Sequence, residues 1–230
     1  MKRIAIIQSA YIPWRGFFDL IGRCDEYAIF DTVQFAKRHW HNRNKIATAN
    51  GPIWITVPVA TKSRFEQPID EVEIHEKWAE KHWRALTLNY SRAPHFATLS
   101  PRIEALYAAA AEETLLTRVN EMFLREIAAM LGIGTTFTRD VQYSPEGART
   151  VRLLDICIKA KATHYLSGPS AQNYLDENLF REAGITVEWM RYPTYPVYPQ
   201  VWPGFEPAVS VLDLLFNAGT DSKPLWDSSV

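Results

Sequence analysis

The chain is short of cysteine: Cys24 and Cys157 are the only two in 230 residues. Two thiols are too few for the disulfide framework that holds small secreted domains together. It also lacks an excess of charge of either sign, with 25 Lys and Arg against 26 Asp and Glu and a net charge of −1. A balanced chain has no broad basic surface to neutralise a duplex, so no duplex nucleic acid partner is expected. No stretch approaches the roughly 18 uncharged apolar residues of a membrane helix, so no membrane span is expected. Met1-Lys2-Arg3 before Ile4–Ile7 imitates the charged lead of a signal peptide, but Gln8 ends that apolar run early. A cytoplasmic protein is the expectation. The sequence contains no Walker loop, no G-x-G-x-x-G fingerprint and no zinc-ligand set, so it assigns no cofactor.

What it does contain is apolar and aromatic: 47% hydrophobic residues, 8 Trp and 10 Tyr, together with 14 Pro. That is ample for a core and argues against wholesale disorder. At about 150 residues per domain the length fits a single domain spanning 1–230 with an insertion. Ile4–Ile7 reads as a buried strand, Phe17–Ile21 as a short helix and Tyr27–Phe30 as a second strand. Strand, helix and strand within thirty residues are the signature of a parallel βαβ unit. Residues 31–50 read as a polar connection and Ile53–Val57 as a strand. From Trp78 the period becomes helical, through His82, Leu86 and Tyr90, with further helices at about 102–111 and 115–130 before a Gly132 stop. The 78–132 stretch is therefore expected to be an α-helical insertion or lobe. Alternation then resumes: strand at 134–139, helix at 153–160, strand at 164–166, helix ending near Gly184, strand at 185–190 and helix at 209–216. Residues 193–207 hold five prolines and read as an ordered aromatic loop. The tail after Gly219 reads as mobile apart from an anchor at Trp226.

In a parallel sheet of this kind, ligands sit beyond the carboxyl ends of the strands. Gln8 and Asp31 both stand at such ends, as do Ser167-Gly168-Pro169-Ser170, which suit either a phosphate or ribose contact or a plain turn. Charge concentrates in Asp31–Ile46, where Lys37, Arg38, Arg43 and Lys45 against Asp31 give a net charge of +3. Basic groups interleaved with Trp40 and two Asn suit a small anion with a planar part: Arg43 can clamp phosphate or carboxylate in bidentate fashion and Trp40 offers a flat face. His39-x-His41 invites a metal, yet no Cys or third His accompanies the pair and the surrounding cations repel one, so no metal is expected. Asp19, Asp155 and Asp213 sit inside apolar runs. Asp19 and Asp213 fall three residues after Gly16 and Ser210, where a carboxylate can cap a helix start, and Asp155 is expected to meet a buried donor. Trp78, Trp83 and Tyr90 at helical spacing are expected in the core.

Gln8 followed by Tyr11-Ile-Pro13-x-x-Gly16-Phe-Phe-Asp19-Leu-Ile21, then Asp31-x-Val-Gln34 and Lys37-Arg38-x-Trp40-x-Asn42-Arg43-Asn44-Lys-Ile46, resembles the WbqC-like family of bacteria. The likeness continues through Trp54–Pro58, Leu153–Cys157, Tyr165–Gly168 and Ser210–Asp213. The chain departs from the family pattern at Ser9, where Pro is usual, and at Thr32, where a second Asp is frequent; the latter tells against a magnesium site needing adjacent carboxylates. The resemblance implies a role in surface-polysaccharide biosynthesis of the O-antigen type, with amino-acyl or acyl transfer to the amine of a nucleotide-linked amino sugar. It also implies a Rossmann-like, nucleotidyltransferase-like α/β fold with a mostly parallel sheet.

The residues and the resemblance together give a candidate site. Asp31 is the candidate general base for an attacking amine, and Lys37, with Arg38 and Arg43, neutralises phosphate. Tyr11 and Trp40 stack on a base or sugar, while Gln8, Asn42 and Asn44 orient hydroxyls or an amide. Gly16, Gln34, Ser167, Gly168 and Asp213 complete the binding set. The expected partner is a small nucleotide-linked or phosphorylated molecule, and self-association into a homo-oligomer is left open. An ATP-dependent amide-forming ligase and a non-catalytic nucleotide-sugar-binding module use the same residues.

Overall fold

Ile4, Ala5 and Ile6 are buried between neighbours on both sides, which a continuous apolar run dictates for the central strand of a parallel sheet. The computed structural model describes residues 1–62, 64 and 66–227. In it, β1 (Arg3–Ile7) pairs in parallel with β2 (Glu26–Ile29) on one side and β6 (His164–Ser167) on the other. β5 (Thr136–Arg139) extends the β2 edge and β7 (Thr186–Trp189) the β6 edge, again in parallel, so the order is β5-β2-β1-β6-β7. The fold is mixed α/β, with a parallel five-stranded sheet and seven α-helices among the described residues. The chain moves outward from β1 through β2 to β5 and then returns to the opposite side of β1, so the winding reverses at β1. That reversal opens a crevice at the carboxyl end of β1.

Helix α1 (Arg15–Gly22) joins β1 to β2, α5 (Thr150–Lys159) joins β5 to β6, and α6 (Glu177–Glu182) joins β6 to β7. Between β2 and β5 come an antiparallel hairpin, β3 (Arg43–Ile46) with β4 (Ile53–Thr56), and helices α2 (Ala79–Tyr90), α3 (Phe96–Ala110) and α4 (Leu116–Met130). Helix α7 (Val211–Ala218) is the last. Among the described residues no helix is long and apolar enough to cross a membrane.

Three features differ from the sequence reading. β3 lies inside the expected polar connection; its alternation is hidden because an inward position is Asn44, not an apolar residue, while Arg43 and Lys45 are half-buried. Helix α3 begins at Phe96 and carries Pro101 within it. The tail, expected to be mobile, forms a 3₁₀ turn at Lys223–Leu225, while the expected anchor Trp226 is buried to 2% exposure. Arg15 accounts for much of that order. Its guanidinium donates to the carbonyls of Pro196 and Leu225 at 2.8 Å each and stacks on the Tyr195 and Tyr198 rings. One buried cation thereby ties the proline-rich loop and the tail to the start of α1.

The marked carboxylates are not caps. Asp19 pairs with Arg23 and accepts the Tyr195 hydroxyl at 2.5 Å. Asp213 accepts from Tyr90, Tyr198 and Gln200, while the Ser210 hydroxyl caps α7 by accepting from the Leu212 amide. Asp155 pairs with Lys159 at 2.7 Å and with the Glu146 amide, near the surface and not with a buried donor. Tyr195, Tyr90, Tyr198 and Gln200 arrive from other stretches of chain, which a reading of local spacing does not see. Arg23 and Lys159, by contrast, are i+4 neighbours of the carboxylates they pair with.

Candidate functional site

At the carboxyl end of β1 the chain turns through Gln8–Trp14 and brings this loop against Trp40, whose carbonyl accepts the Tyr11 amide. Asn44, pointing inward from β3, donates to the carbonyls of Tyr11 (3.2 Å) and Ile12 (2.8 Å). That clamp holds Ile12 at φ +39°, a left-handed conformation costly for a β-branched residue. The clamped loop encloses a cavity of about 480 Å³. Its walls are chiefly apolar, with Pro13, Trp14, Phe17 and Trp40, and its polar contributions come from Gln8, Ser9, His39, His41 and Asn44. Such a balance, apolar walls with a few converging polar groups, is characteristic of small-molecule sites.

Behind the cavity lies a buried polar network. Asp31, 2% exposed, accepts the Ser9 amide (2.8 Å), the Ser9 hydroxyl (2.7 Å) and the Thr117 hydroxyl (2.6 Å). Burial pushes the Asp31 carboxyl above its ordinary range, against the lowering effect of these bonds. Asn120, one turn after Thr117 on α4, donates to the Ser9 hydroxyl and to the His41 carbonyl at 2.9 Å each. The His41 ring closes the network by donating from Nδ1 to the Ser9 carbonyl at 3.1 Å; a carbonyl only accepts, so Nδ1 carries the proton. Burial lowers the His41 imidazole to about 4, so the ring is neutral near pH 7. Beside it lies His39, its ring tilted against that of His41 with centroids 4.6 Å apart.

On its other side the same segment lines a second groove of about 440 Å³, with Lys37, Arg38, Asn42 and Arg43 facing His75 and Glu76. Arg43 lies 4.1 Å over the Trp54 ring and donates to the Arg38 carbonyl; Asn42 donates to the carbonyl of Val57, the residue after β4, and so fixes the segment there.

The sequence matches the WbqC-like protein family over residues 8–224, nearly the whole chain and all of the cavity lining except Ile7 at the end of β1. The chain belongs to the WbqC-like protein family. It is also 48% identical, over 223 residues and 96% of each chain, to the uncharacterized protein Rv1507c of Mycobacterium tuberculosis. No solved structure matches it significantly.

In this WbqC-like protein the residues singled out from the sequence divide into four groups. Gln8, Trp40 and Asn44 line the cavity; Lys37, Arg38, Asn42 and Arg43 line the basic groove. Tyr11 lines neither. It is fully buried, with its hydroxyl bonded to His82 and Tyr107, so its ring packs in the core and does not stack on a ligand. Asp31 lies one layer behind Ser9, and Asp213 sits in its own tyrosine cluster. Ser167 and Gly168 follow β6 without lining the cavity, and Gln34 bridges to Pro68. Ser9 stands out in the sequence only as a departure from the family pattern and His41 only as half of an excluded metal pair, and Thr117 and Asn120 are not singled out there. A signal existed for the last two: polar residues one turn apart on the apolar face of a helix need buried partners. At the two departures from the family pattern, Ser9 donates to Asp31 and the Thr32 hydroxyl donates to Asp140. Among the described residues no cluster of three His, Cys, Asp or Glu is arranged to hold a metal.

Gly16 shapes the cavity indirectly. A Cβ there would stand 2.4 Å from the Trp14 ring, so only glycine lets the indole fold over the first turn of α1. Gly16→Ala is expected to displace Trp14 while changing the stability of the free protein by less than about 1 kcal/mol, since alanine is the better helix former. A thermal melt near that of wild type, together with at least tenfold weaker ligand binding by calorimetry, is the expected pair of results.

Proposed function

We propose that this WbqC-like protein transfers an acyl or amino-acyl group to the amine of a nucleotide-linked sugar, in surface-polysaccharide assembly. The observation that carries the reading is the segment 37–43, which turns His39, Trp40 and His41 toward an apolar cavity and Lys37, Arg38, Asn42 and Arg43 toward a basic groove. A substrate with a ring system and a charged phosphate has complementary surroundings on the two sides. In this reading Lys37, Arg38 and Arg43 hold the diphosphate, Trp40 and Trp14 face the ring, and Gln8 and Asn44 orient polar groups. Asp31 contributes through Ser9, because its oxygens are occupied. The sheet, whose strands in chain order run 3-2-1-4-5 across it, supports a Rossmann-like reading with a ligand at the reversal. Residues 78–132 are then a helical insertion into one α/β domain, and α4 reaches back from it to the site through Thr117 and Asn120.

Thermal melts with UDP-glucosamine, ATP and glycine test the reading. UDP-glucosamine at about a hundredfold excess over its Kd is expected to add about 2.7 kcal/mol, or roughly 5–10 °C in Tm for a chain of this size. Arg43→Gln is expected to abolish most of that shift and leave the melt of the free protein nearly unchanged. A shift with ATP, accompanied by AMP or ADP release, would instead identify a ligase. Nucleotide-sugar binding without any acylated product by mass spectrometry would identify a binding module.

A further inference from the structure

The general base expected from the sequence is Asp31, yet its carboxylate already accepts three hydrogen bonds and is sealed behind Ser9. The cavity wall offers a different acceptor. His41 donates Nδ1–H to the Ser9 carbonyl, which leaves Nε2 with a free lone pair. No residue among those described bonds Nε2, and it is not among the buried polar atoms shut away from any partner. The ring lines the cavity beside His39, Gln8 and Trp40. Its backbone is held as firmly as its ring, because Asn120 donates to the His41 carbonyl and to the Ser9 hydroxyl, and Asp31 accepts both the amide and the hydroxyl of Ser9. A base, a fixed tautomer and an orienting group are the parts general-base catalysis requires, in the order in which they occur here.

We propose that His41 Nε2 is the proton acceptor of this site, with Ser9, Asn120 and Asp31 as positioning residues that fix its tautomer and orientation. The assignment rests on the acyl-transfer reading above and names the group that performs it. The donor is an activated ester or thioester. The amine nitrogen attacks the acyl carbon and the new C–N bond forms, while the surplus N–H proton passes to His41 Nε2. When the tetrahedral adduct collapses, the bond from carbon to the leaving oxygen or sulfur breaks and that atom takes the electron pair. The imidazolium returns its proton to the leaving group or to water, which leaves an amide, an alcohol or thiol, and neutral His41. A ring already neutral at pH 7 is available in every molecule, and the amine becomes a strong acid only once it has attacked, so a weak base suffices to receive its proton.

Two measurements on the full chain decide the matter. Nitrogen-15 NMR of histidine-labelled protein at pH 7 is expected to show His41 with Nδ1 protonated and Nε2 bare. A protonated Nε2 overturns the proposal. The second measurement supplies p-nitrophenyl acetate as donor and glucosamine as acceptor, and follows N-acetylglucosamine by mass spectrometry. His41→Asn keeps a side-chain N–H for the Ser9 carbonyl but has no acceptor at Nε2. It is expected to melt within a few degrees of wild type and to lose at least a hundredfold in amide formation. His41→Gln, which keeps a polar atom near the Nε2 position without its basicity, is expected to lose as much. Loss of less than threefold in a folded His41→Asn protein overturns the proposal, as does the absence of amide from wild type. The thermal melts separate this failure from that of the broader reading. A UDP-glucosamine shift without amide formation removes His41 as the base, whereas amide formation without that shift keeps the base and removes the nucleotide-linked substrate.

Discussion

Asp31→Ala is expected to lower Tm by about 6–12 °C, and Asp31→Asn by less than half as much. The alanine variant strands three donors, the Ser9 amide, the Ser9 hydroxyl and the Thr117 hydroxyl, in a region sealed from water. Stranding buried donors costs roughly 1–3 kcal/mol apiece, and hydroxyls recover part of this by rotating, so about 3 kcal/mol in total is the expected loss. For a chain of this length, each kcal/mol corresponds to about 2–4 °C. Asparagine keeps one oxygen for the Ser9 amide and offers an NH₂ that a rotated Thr117 or Ser9 hydroxyl can accept. It also removes a charge whose burial is unfavourable, as the raised Asp31 carboxyl indicates. The order Ala worse than Asn therefore follows from the chemistry of the partners. Calorimetric melts of the two variants at pH 7 check it. Equal melts for Ala and Asn would mean that the Ser9 and Thr117 bonds do not form in solution.

The same network explains what the sequence disclosed and what it hid. β1, α1 and β2 are legible because each is a local pattern: an apolar run, a short amphipathic stretch after Pro13, and a second apolar run. The helices α2 and α4 follow from a period sustained over a dozen residues or more. The basic groove is legible too, since Lys37, Arg38 and Arg43 lie within one short segment and composition alone marks them. The cavity is not. Its polar wall at Ser9 and His41 and the network behind it at Thr117 and Asn120 come from three separate stretches of chain and meet only through tertiary packing. Tyr11 illustrates the reverse error. A tyrosine in a loop at a strand end suggests a ligand contact, but the loop dips inward at Ile12 under the Asn44 clamp and carries the ring into the core. Nothing in the local sequence reports the direction of that turn.

Acid is expected to weaken this fold well before the carboxylates alone would require it, with the loss concentrated between pH 6.5 and about 4. His82 and His41 are both buried, and burial lowers each imidazole from the ordinary 6.5 to about 4. In that window the unfolded chain binds protons that the folded chain refuses, so stability is complete above pH 6.5 and is lost as pH falls through 4. A displacement of this size corresponds to about 3 kcal/mol for each histidine. Asp31 and Asp213 work in the opposite sense, because burial raises them and the folded state takes up their protons first, which offsets part of the loss. His82 makes the effect specific. Its Nε2–H donates to the Thr56 carbonyl at 3.2 Å, so its Nδ1 accepts the Tyr11 hydroxyl at 2.9 Å, and Tyr107 in turn donates to Tyr11 at 2.8 Å. Protonation at Nδ1 reverses this chain: Tyr11 must accept from His82 and turn its own proton toward Tyr107, whose hydroxyl then has no oxygen left to donate to in a buried cluster. His82→Gln keeps a donor for Thr56 and an acceptor for Tyr11 but does not titrate. Melts recorded from pH 7.5 to 4 are expected to fall by about 6–12 °C less for His82→Gln than for wild type. Parallel curves for the two proteins would mean that His82 is not held neutral by its burial, and that the acid sensitivity arises elsewhere.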